Sequence, residues 1–503
     1  MRVKLIAAFA ALLLLVPVAT ASARGSDQHD LRDYARGTWA SFVAMTNDRT
    51  GLPADTLKKD GARSVQTSTT NIGAYLWSAV VAHRLGLISR RELVMRVSRT
   101  LGTLERMERS LGGQYFNWYD HRTGEKLTYW PPDRASDPNA PNTFRNWLSS
   151  VDNGWLAVGL RVIQNSVPEL SRRARALFRS MDFGVYYVPE RNLVRFHIVP
   201  EAPTDPGLSP CCYDTAVSES RIVDYLGISR GQLPPKTYFQ RYRTFPDGCD
   251  WSWQETRPVG VTRRYFGVDV FEGAYPYRGS LVVPSWGGSM FEALMVDLFV
   301  PESDWAPRSW RINHPLTVRA QILHGLLDAG YGYWGFSPAN VPEGGYSVYG
   351  VDAIGLDPNG NPSNNDRTLV DRGYPGCPDL RPPRPALPDP PPSAYTNGVV
   401  TPHAAFLALP YAPGEARKNL SRLAEDFPGL YGPWGFRDSV NVDTGRVSDF
   451  YLSLDQVMIM AALGNELARD LMRRAFADRR LERTVRPVIG IERFGAAPAA
   501  PGG

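Results

Sequence analysis

The sequence predicts an all-α chain: a toroid of helical hairpins with short β-hairpins over one rim. Two observations carry this expectation. Helical pairs recur at intervals of several tens of residues, and each pair closes on a return of glycine and aromatic residues. Stacked in this way, inner helices bury against inner helices and outer helices cover them. The turns at one rim are then left to present functional groups. The 503 residues are enough for one such domain.

The elements follow in chain order. Leu31 to Thr46 reads as a short helix. The cap-rich run from Gln66 to Gly73 starts a helix through His83, and a second follows from Ser89 to Leu111. That hairpin returns through Gly113 to Asp120. Ser149 to Gly154 starts a helix to Ile163, and Pro168 to Met181 follows, closing on Phe183 to Tyr187. A helix from Ser289 carries Phe291, Leu294 and Met295 at helical spacing. Leu316 to Ala329 ends in Tyr331 to Ser337. Pro402 to Leu409 and Glu415 to Phe427 end in Leu430 to Asp438, and a last long helix spans Ser453 to Arg480. Short strands are expected at Tyr186 to Tyr187, Val194 to Ile198 and Gly279 to Val283.

Some segments lie outside this plan. Residues 1–23 read as a secretory signal: Arg2 and Lys4 lead an apolar stretch from Leu5 to Val18, with Ala21-Ser22-Ala23 as the cleavage site. Asp371 to Tyr395 is a proline-rich extended loop, poor in backbone donors. Residues 491–503 form a tail, rich in Ala, Pro and Gly from Ala496, that is expected to be disordered. Residues 24–490 then make one domain. There is no second long apolar run, so the expectation is an exported protein, secreted or in the cell envelope, off the membrane and monomeric.

Net charge is +5, or +3 once Arg2 and Lys4 leave with the signal. That is too small to point to nucleic acid or an anionic membrane. Arg473-Arg474 and Arg479-Arg480 read as a solvated helix face. Cys211, Cys212, Cys249 and Cys377 allow two disulfides in an oxidising compartment. A bond between the neighbours Cys211 and Cys212 is expected to be strained, so each is assigned to Cys249 or Cys377. No Cys pair has C-x-x-C spacing, so no metal is expected, and no cofactor is called for. Gly330 to Gly335 matches G-x-G-x-x-G but follows a helix rather than a strand, the wrong context for a dinucleotide.

Two acidic motifs could carry chemistry. In Ser289-Met290-Phe291-Glu292, Ser289 caps the helix and Glu292 stands at capping-box spacing. Glu292 either closes that box or, beside Trp286 and away from water, is raised to serve as a general acid. In Tyr213-Asp214 to Ser218-Glu219-Ser220-Arg221, a helix starting near Thr215 makes Asp214 an N-cap. Glu219 either pairs with Arg221 or points into a cleft. Asp438 stands in a rim return beside Arg437, a neighbour that keeps a carboxylate ionised as a base requires; alternatively it caps a turn. Trp118, Trp155, Trp286, Trp334 and Trp434 are candidate sugar platforms, or core. His403 at a helix start reads as packed and hydrogen-bonded.

Pro284 to Met295, with Ser-Trp-Gly-Gly-Ser-Met-Phe-Glu, resembles the S-W-x-G-S-M-F-E segment of the glucoamylase-like family, which includes secreted β-1,2-glucanases and the cyclisation part of cyclic β-1,2-glucan synthases. Colinear motifs extend the likeness over about residues 60 to 480: Thr69 to Gly73, Asn117 to Asp120, Val151-Asp152-Asn153-Gly154, Tyr213 to Arg221, Gly335 to Gly350, Thr401-Pro402-His403, Tyr431 to Ser439 and Leu454-Asp455-Gln456. The resemblance implies an (α/α)6 toroid and hydrolysis of a polysaccharide, a β-linked glucan, with Glu292 as acid. For the base it leaves Asp438, Glu219, Glu343 and Asp214. Asp120, Asp152, Asn153, Tyr346 and His403 join the tryptophans as expected substrate contacts. The cyclases' G-I-S-E-S-A-Y glutamate falls at Pro338 here, which argues against their retaining chemistry and for inversion through water. The rivals are a polysaccharide lyase, which needs a basic cleft, and a non-catalytic glycan-binding protein.

Overall fold

The computed structural model describes residues 20–131, 144–244, 258–356, 395 and 397–495. Fifteen helices carry the described fold. They are α1 (Thr20–Met45), α2 (Thr69–Arg84), α3 (Arg90–Leu104), α4 (Ser150–Ser166), α5 (Ser171–Ser180), α6 (Arg221–Arg230), α7 (Lys236–Gln240) and α8 (Met290–Leu294), followed by α9 (Glu302–Trp305), α10 (Trp310–Leu323), α11 (Pro402–Leu407), α12 (Pro413–Asp426), α13 (Ser453–Leu467), α14 (Leu471–Phe476) and α15 (Arg479–Ile489). The paired strands are antiparallel, and all are short except in the hairpin of Val259–Tyr265 on Val268–Tyr277. No described helix is long and apolar enough to cross a membrane.

Six helices pack in sequence. α2 lies on α4, α4 on α6, α8 on α11, α11 on α13, and α13 returns to α2. The step from α6 to α8 is made by Arg221, whose guanidinium donates to the carbonyls of Glu292 (2.9 Å) and Ala293 (2.8 Å). These helices are buried on all sides: α2 hides every residue from Thr69 to Ala82, and α13 nearly all of its length. Outer helices are amphipathic. α3 buries Leu93, Val97, Leu101 and Leu104 at helical spacing and keeps its arginines outside. α1, α3, α5, α7, α10 and α12 each pack on an inner partner. Where α2 crosses α4 the backbones nearly touch. A Cβ on Gly159 would stand 2.2 Å from the carbonyl oxygen of Gly73, so only glycine fits.

Several element boundaries differ from the sequence reading. α1 begins before Leu31, and α3 stops at Leu104 rather than Leu111. α10 starts at Trp310 and carries Pro315 inside it, in its second turn, where one intrahelical N–H bond is absent. The expected helix from Ser453 to Arg480 is three helices, broken where Arg469 and Asp470 take φ of 56° and 54°. No helix starts near Thr215; α6 begins at Arg221. The sulfurs of the neighbours Cys211 and Cys212 are joined to one another, whereas the sequence reading assigned each to Cys249 or Cys377. Cys249 and Cys377, the signal through residue 19, and the proline-rich loop apart from Tyr395 lie outside the described residues.

Candidate active site

The N-terminal ends of the inner helices carry the acids. Ser68, Ser149 and Ser289 cap α2, α4 and α8 with side-chain oxygens that accept backbone N–H bonds. Carboxylates stand in the first turns of α4 (Asp152), α8 (Glu292) and α13 (Asp455), and in the segments leading to α2 (Asp55), α6 (Glu219) and α13 (Asp438).

Glu292 closes the capping box, so the structural reading of its spacing is correct. Its Oε2 accepts from Ser285 Oγ (2.8 Å), Ser289 Oγ (2.8 Å), Gly287 N (3.0 Å) and Ser289 N (3.3 Å). Oε1 receives one long contact, 3.3 Å from Gly287 N. Burial raises the carboxyl above the usual range, against those four donors. The crowded oxygen fixes the orientation, and Oε1 remains for a proton. The first-turn position would favour the anion, yet loss of solvation outweighs it.

Glu219 is its partner. It is only partly buried, and its carboxyl is pushed up to about 7 by burial and then by the charge of Glu292. Arg221 does not neutralise it. That guanidinium is committed to Glu302, with contacts of 2.7 Å from Nε and Nη2; burial would raise Glu302, but Arg221 overrides it and holds the carboxyl at about 2. The alternative in which Glu219 and Arg221 form an ion pair is therefore corrected.

The second group of acids centres on Asp438. Asn340 N (2.6 Å) and Nδ2 (2.8 Å) both donate to its Oδ2, while Oδ1 is buried without a hydrogen-bond partner. Burial and the neighbouring Asp455 hold it well above the usual carboxylate range. Arg437 does not keep it ionised, contrary to the sequence reading; that side chain interacts with Tyr451. Asp455 is raised to about 7 by burial. His403 Nδ1 stands 2.8 Å from Asp455 Oδ2, and burial lowers the imidazole to about 4, so it is neutral and cannot cancel the carboxylates. Asp55, held by Asn71 Nδ2 at 2.8 Å, is raised to about 6 by burial. Asp152 accepts from Thr70 (2.6 Å) and Ser149 (2.6 Å). In the amide orientation that satisfies both neighbours, Asn117 donates to Asp152 Oδ2 (3.0 Å) and accepts from Trp118 Nε1 (2.9 Å).

Tyr346 links the two groups. After burial, the charges of Asp455, Asp438, Asp55 and Glu219 all push its hydroxyl up. Tyr346 is 52% exposed, so water reaches it within range of those carboxylates. Trp286, 38% exposed, precedes Gly287, whose N–H donates to Glu292. Trp118 is half-buried against Trp130.

Other expected contacts fall elsewhere. Trp334 and Trp155 are core residues, 2% and 1% exposed: Trp155 packs on Trp77 of α2 and on Phe299, and the Trp334 backbone is held by Asn419 of α12. Asn153 is spent on Tyr115 N and O and on Ser149 O. Asp120 closes a turn through the backbone and guanidinium of Arg122. Trp434 packs on Tyr451 in a satellite cluster, and Glu343 is an exposed turn residue. Asp214 is not a helix cap; burial raises it, and its carbonyl accepts from Tyr242 N. Asp55 was missed, since no spacing marks it. Asp455 stood in a recognised motif but was given no role.

Among the described residues one trio, Asp297, Glu302 and His314, has donors close enough for a metal. It does not suit one: Arg221 occupies Glu302, and Arg473 Nη2 lies 2.7 Å from Asp297 Oδ2.

Residues 263–480 match the family described as "Putative glucoamylase", and residues 33–188 match a family described as "Protein of unknown function (DUF3131)". The chain is 24% identical, over 545 aligned positions, to the cyclic β-(1,2)-glucan synthase NdvB of Rhizobium meliloti strain 1021. That match takes in 84% of this chain and 17% of the length of that curated relative. Among solved structures, the endo-β-1,2-glucanase of Chitinophaga pinensis, in complex with sophorotriose and glucose, superposes with a TM-score of 0.63 at 16% identity, over 92% of this chain and 98% of that one. A mutant endo-β-1,2-glucanase of Talaromyces funiculosus, in complex with β-1,2-glucan, gives 0.59 at 13%, over 92% and 90%. The chain shares their mostly helical fold, and the resemblance to the glucoamylase-like family read from the motifs holds.

Proposed function

We propose that this protein is a glycoside hydrolase that cleaves a β-linked glucan, with β-1,2-glucan as the first candidate, in the acid-lined cavity of an (α/α)6 toroid. The observation that carries the reading is the placing of two carboxyl pairs, Glu219 with Glu292 and Asp438 with Asp455, both within electrostatic reach of the exposed Tyr346 or of a partner that is. Glycoside hydrolysis needs one protonated and one ionised carboxyl across the scissile bond. Two carboxyls side by side in a buried site cannot both ionise near neutral pH, so each pair holds about one proton and one charge.

Glu292 donates its Oε1 proton to the departing sugar oxygen, while Glu219 shares and restores that proton. The ionised member of the Asp438–Asp455 pair takes a proton from water, and the water attacks the opposite face of the sugar with inversion. Trp286 and Tyr346 present ring faces to glucosyl units, and Asp152 and Asp55 accept hydroxyl hydrogen bonds. Residues 1–23 direct export, so the substrate is extracellular or in the envelope.

The acidic lining speaks against a lyase, whose uronate substrate needs positive charge at this point. Carboxyls held near 7 are poised for proton transfer, which a binding protein does not need. The test is incubation with linear β-1,2-glucan, other β-glucans, arabinan and galactan. New reducing ends from a β-glucan, released first in the inverted anomeric form by NMR, are expected. Products with an unsaturated uronate absorbance would replace this reading with the lyase, and binding without turnover would replace it with the glycan-binding protein.

A further inference from the structure

A second site lies away from the acids. Arg161, Gln164, Arg175, Phe178, Arg179 and Arg230 line a cavity of about 320 Å³ between α4, α5 and α6, closed by Gln232, Asp478 and Arg480 at the start of α15. Its charges do not balance. Five guanidiniums meet one lining carboxylate, Asp478, which already pairs with Arg161 (2.5 Å). Asp182 is the other acid in electrostatic reach, and its Oδ1 accepts from Gly184 N.

Two of the arginines are fixed before anything binds. Arg161 Nε donates to the carbonyl of Phe476 (3.2 Å), and its guanidinium stands 5.6 Å from the Phe178 ring centre. Arg230 caps the end of α5, donating to the carbonyls of Phe178 (3.1 Å), Met181 (2.5 Å) and Arg179 (3.0 Å), with its guanidinium 4.7 Å from the same ring. Arg480 Nε donates to Ser229 O (3.2 Å). Arg175 and Arg179 are exposed on adjoining turns of α5, and neither side chain has an ion pair or hydrogen bond among the described residues. Arg161 and Arg230 are both lowered, first by burial, with repulsion from neighbouring arginines opposing their charge. Such crowding destabilises the empty site and favours any anion that enters it.

We propose that this arginine-lined cavity binds a phosphate-class anion. Guanidinium forks match phosphate oxygens two at a time. A surplus of about four positive charges suits a multiply charged group rather than a lone carboxylate. The volume falls at the low end for small-molecule sites, so a phosphate carried on a larger group fits. This site does not depend on the glucan reading, because none of its residues belongs to the acid-lined cavity.

The test uses the full mature chain and the variant Arg175→Ala/Arg179→Ala, whose changes are on the surface. Calorimetry with inorganic phosphate and pyrophosphate, at constant ionic strength set by sodium chloride, is run beside sedimentation with phosphatidylglycerol–phosphatidylcholine vesicles. Saturable binding of pyrophosphate, weakened at least tenfold in the variant, is expected, with glucan turnover unchanged. Vesicle binding lost in the same variant identifies the phosphate as a lipid headgroup; ion binding without vesicle binding identifies a soluble phosphate compound. No saturable binding beyond the chloride control, or equal binding by the variant, overturns the proposal.

Discussion

Arg221 holds Glu302 in a two-pronged ion pair, 2.7 Å at each contact, and neither side chain is exposed. The same guanidinium donates to the carbonyls of Ser218 and Glu292, so one cation ties the loop carrying Glu219 to the helix carrying Glu292. Tyr225 (2.7 Å) and His314 (3.1 Å) complete the bonding of Glu302. The spacing between the two candidate acids is therefore set by a charge cluster that never meets substrate.

Removing one partner leaves a buried charge without compensation. Glu302→Ala is expected to lose about 3–5 kcal/mol of stability by denaturant unfolding. Glu302 sits at about 2 in the folded chain, below its unfolded value. Its stabilising contribution is present above that unfolded value and is lost as pH falls toward 2. The wild type should therefore lose stability through this acid range, and the variant should lose less.

Neutral isosteres separate the roles in the two pairs. Glu292→Gln and Asp438→Asn should each lower kcat by about 10²–10⁴-fold with little change in KM, since each removes a proton transfer. Glu219→Gln should cost less and should alter the pH profile, because its partner Glu292 remains.

Asp455 is placed to set the working pH of Asp438. Burial and then the Asp455 charge raise Asp438, so Asp455→Asn removes a repulsive charge and lets Asp438 ionise at lower pH. The acid limb of the kcat/KM profile should move to lower pH. A stability effect accompanies it. Asp455 is raised to about 7 when folded, so ionising it penalises the native state as pH climbs from its unfolded value through 7. At pH 8 the Asn variant should be more stable than wild type by about 1–3 kcal/mol; at pH 4 the two should coincide. Equal profiles and equal Tm at both pH values would remove Asp455 from this role.

Trp286→Ala and Tyr346→Ala test the platform. Each should raise KM for the glucan by about tenfold, on the order of one lost stacking contact, while Trp334→Ala should lower Tm because that ring is core.

Much of this site was legible in the chain, for local reasons. The Ser289–Glu292 capping box is a four-residue pattern, and the structure contains it as read. α2, α4 and α11 begin close to where their caps and Pro402 place them. Relations across the fold were not legible. Nothing in the sequence next to Asp438 reports that Asp455 lies beside it, and the adjacent Arg437 suggested the opposite charge state. The glycine–aromatic returns marked the rim, but a tryptophan there can turn inward, as Trp334 does, or outward, as Trp286 does. Asp55 carries no motif, and only the pairing of Thr56–Lys58 with Phe450–Leu452, with Ser453 N donating to the Asp55 carbonyl, brings it to the start of α13.

The most direct measurement is the release of reducing ends from linear β-1,2-glucan by the purified mature chain, beside Glu292→Gln of matched circular dichroism and Tm. Steady release by the wild type and a drop of at least about 10²-fold in the variant are predicted. No release from any β-glucan, or release by Glu292→Gln at the wild-type rate, would contradict the account.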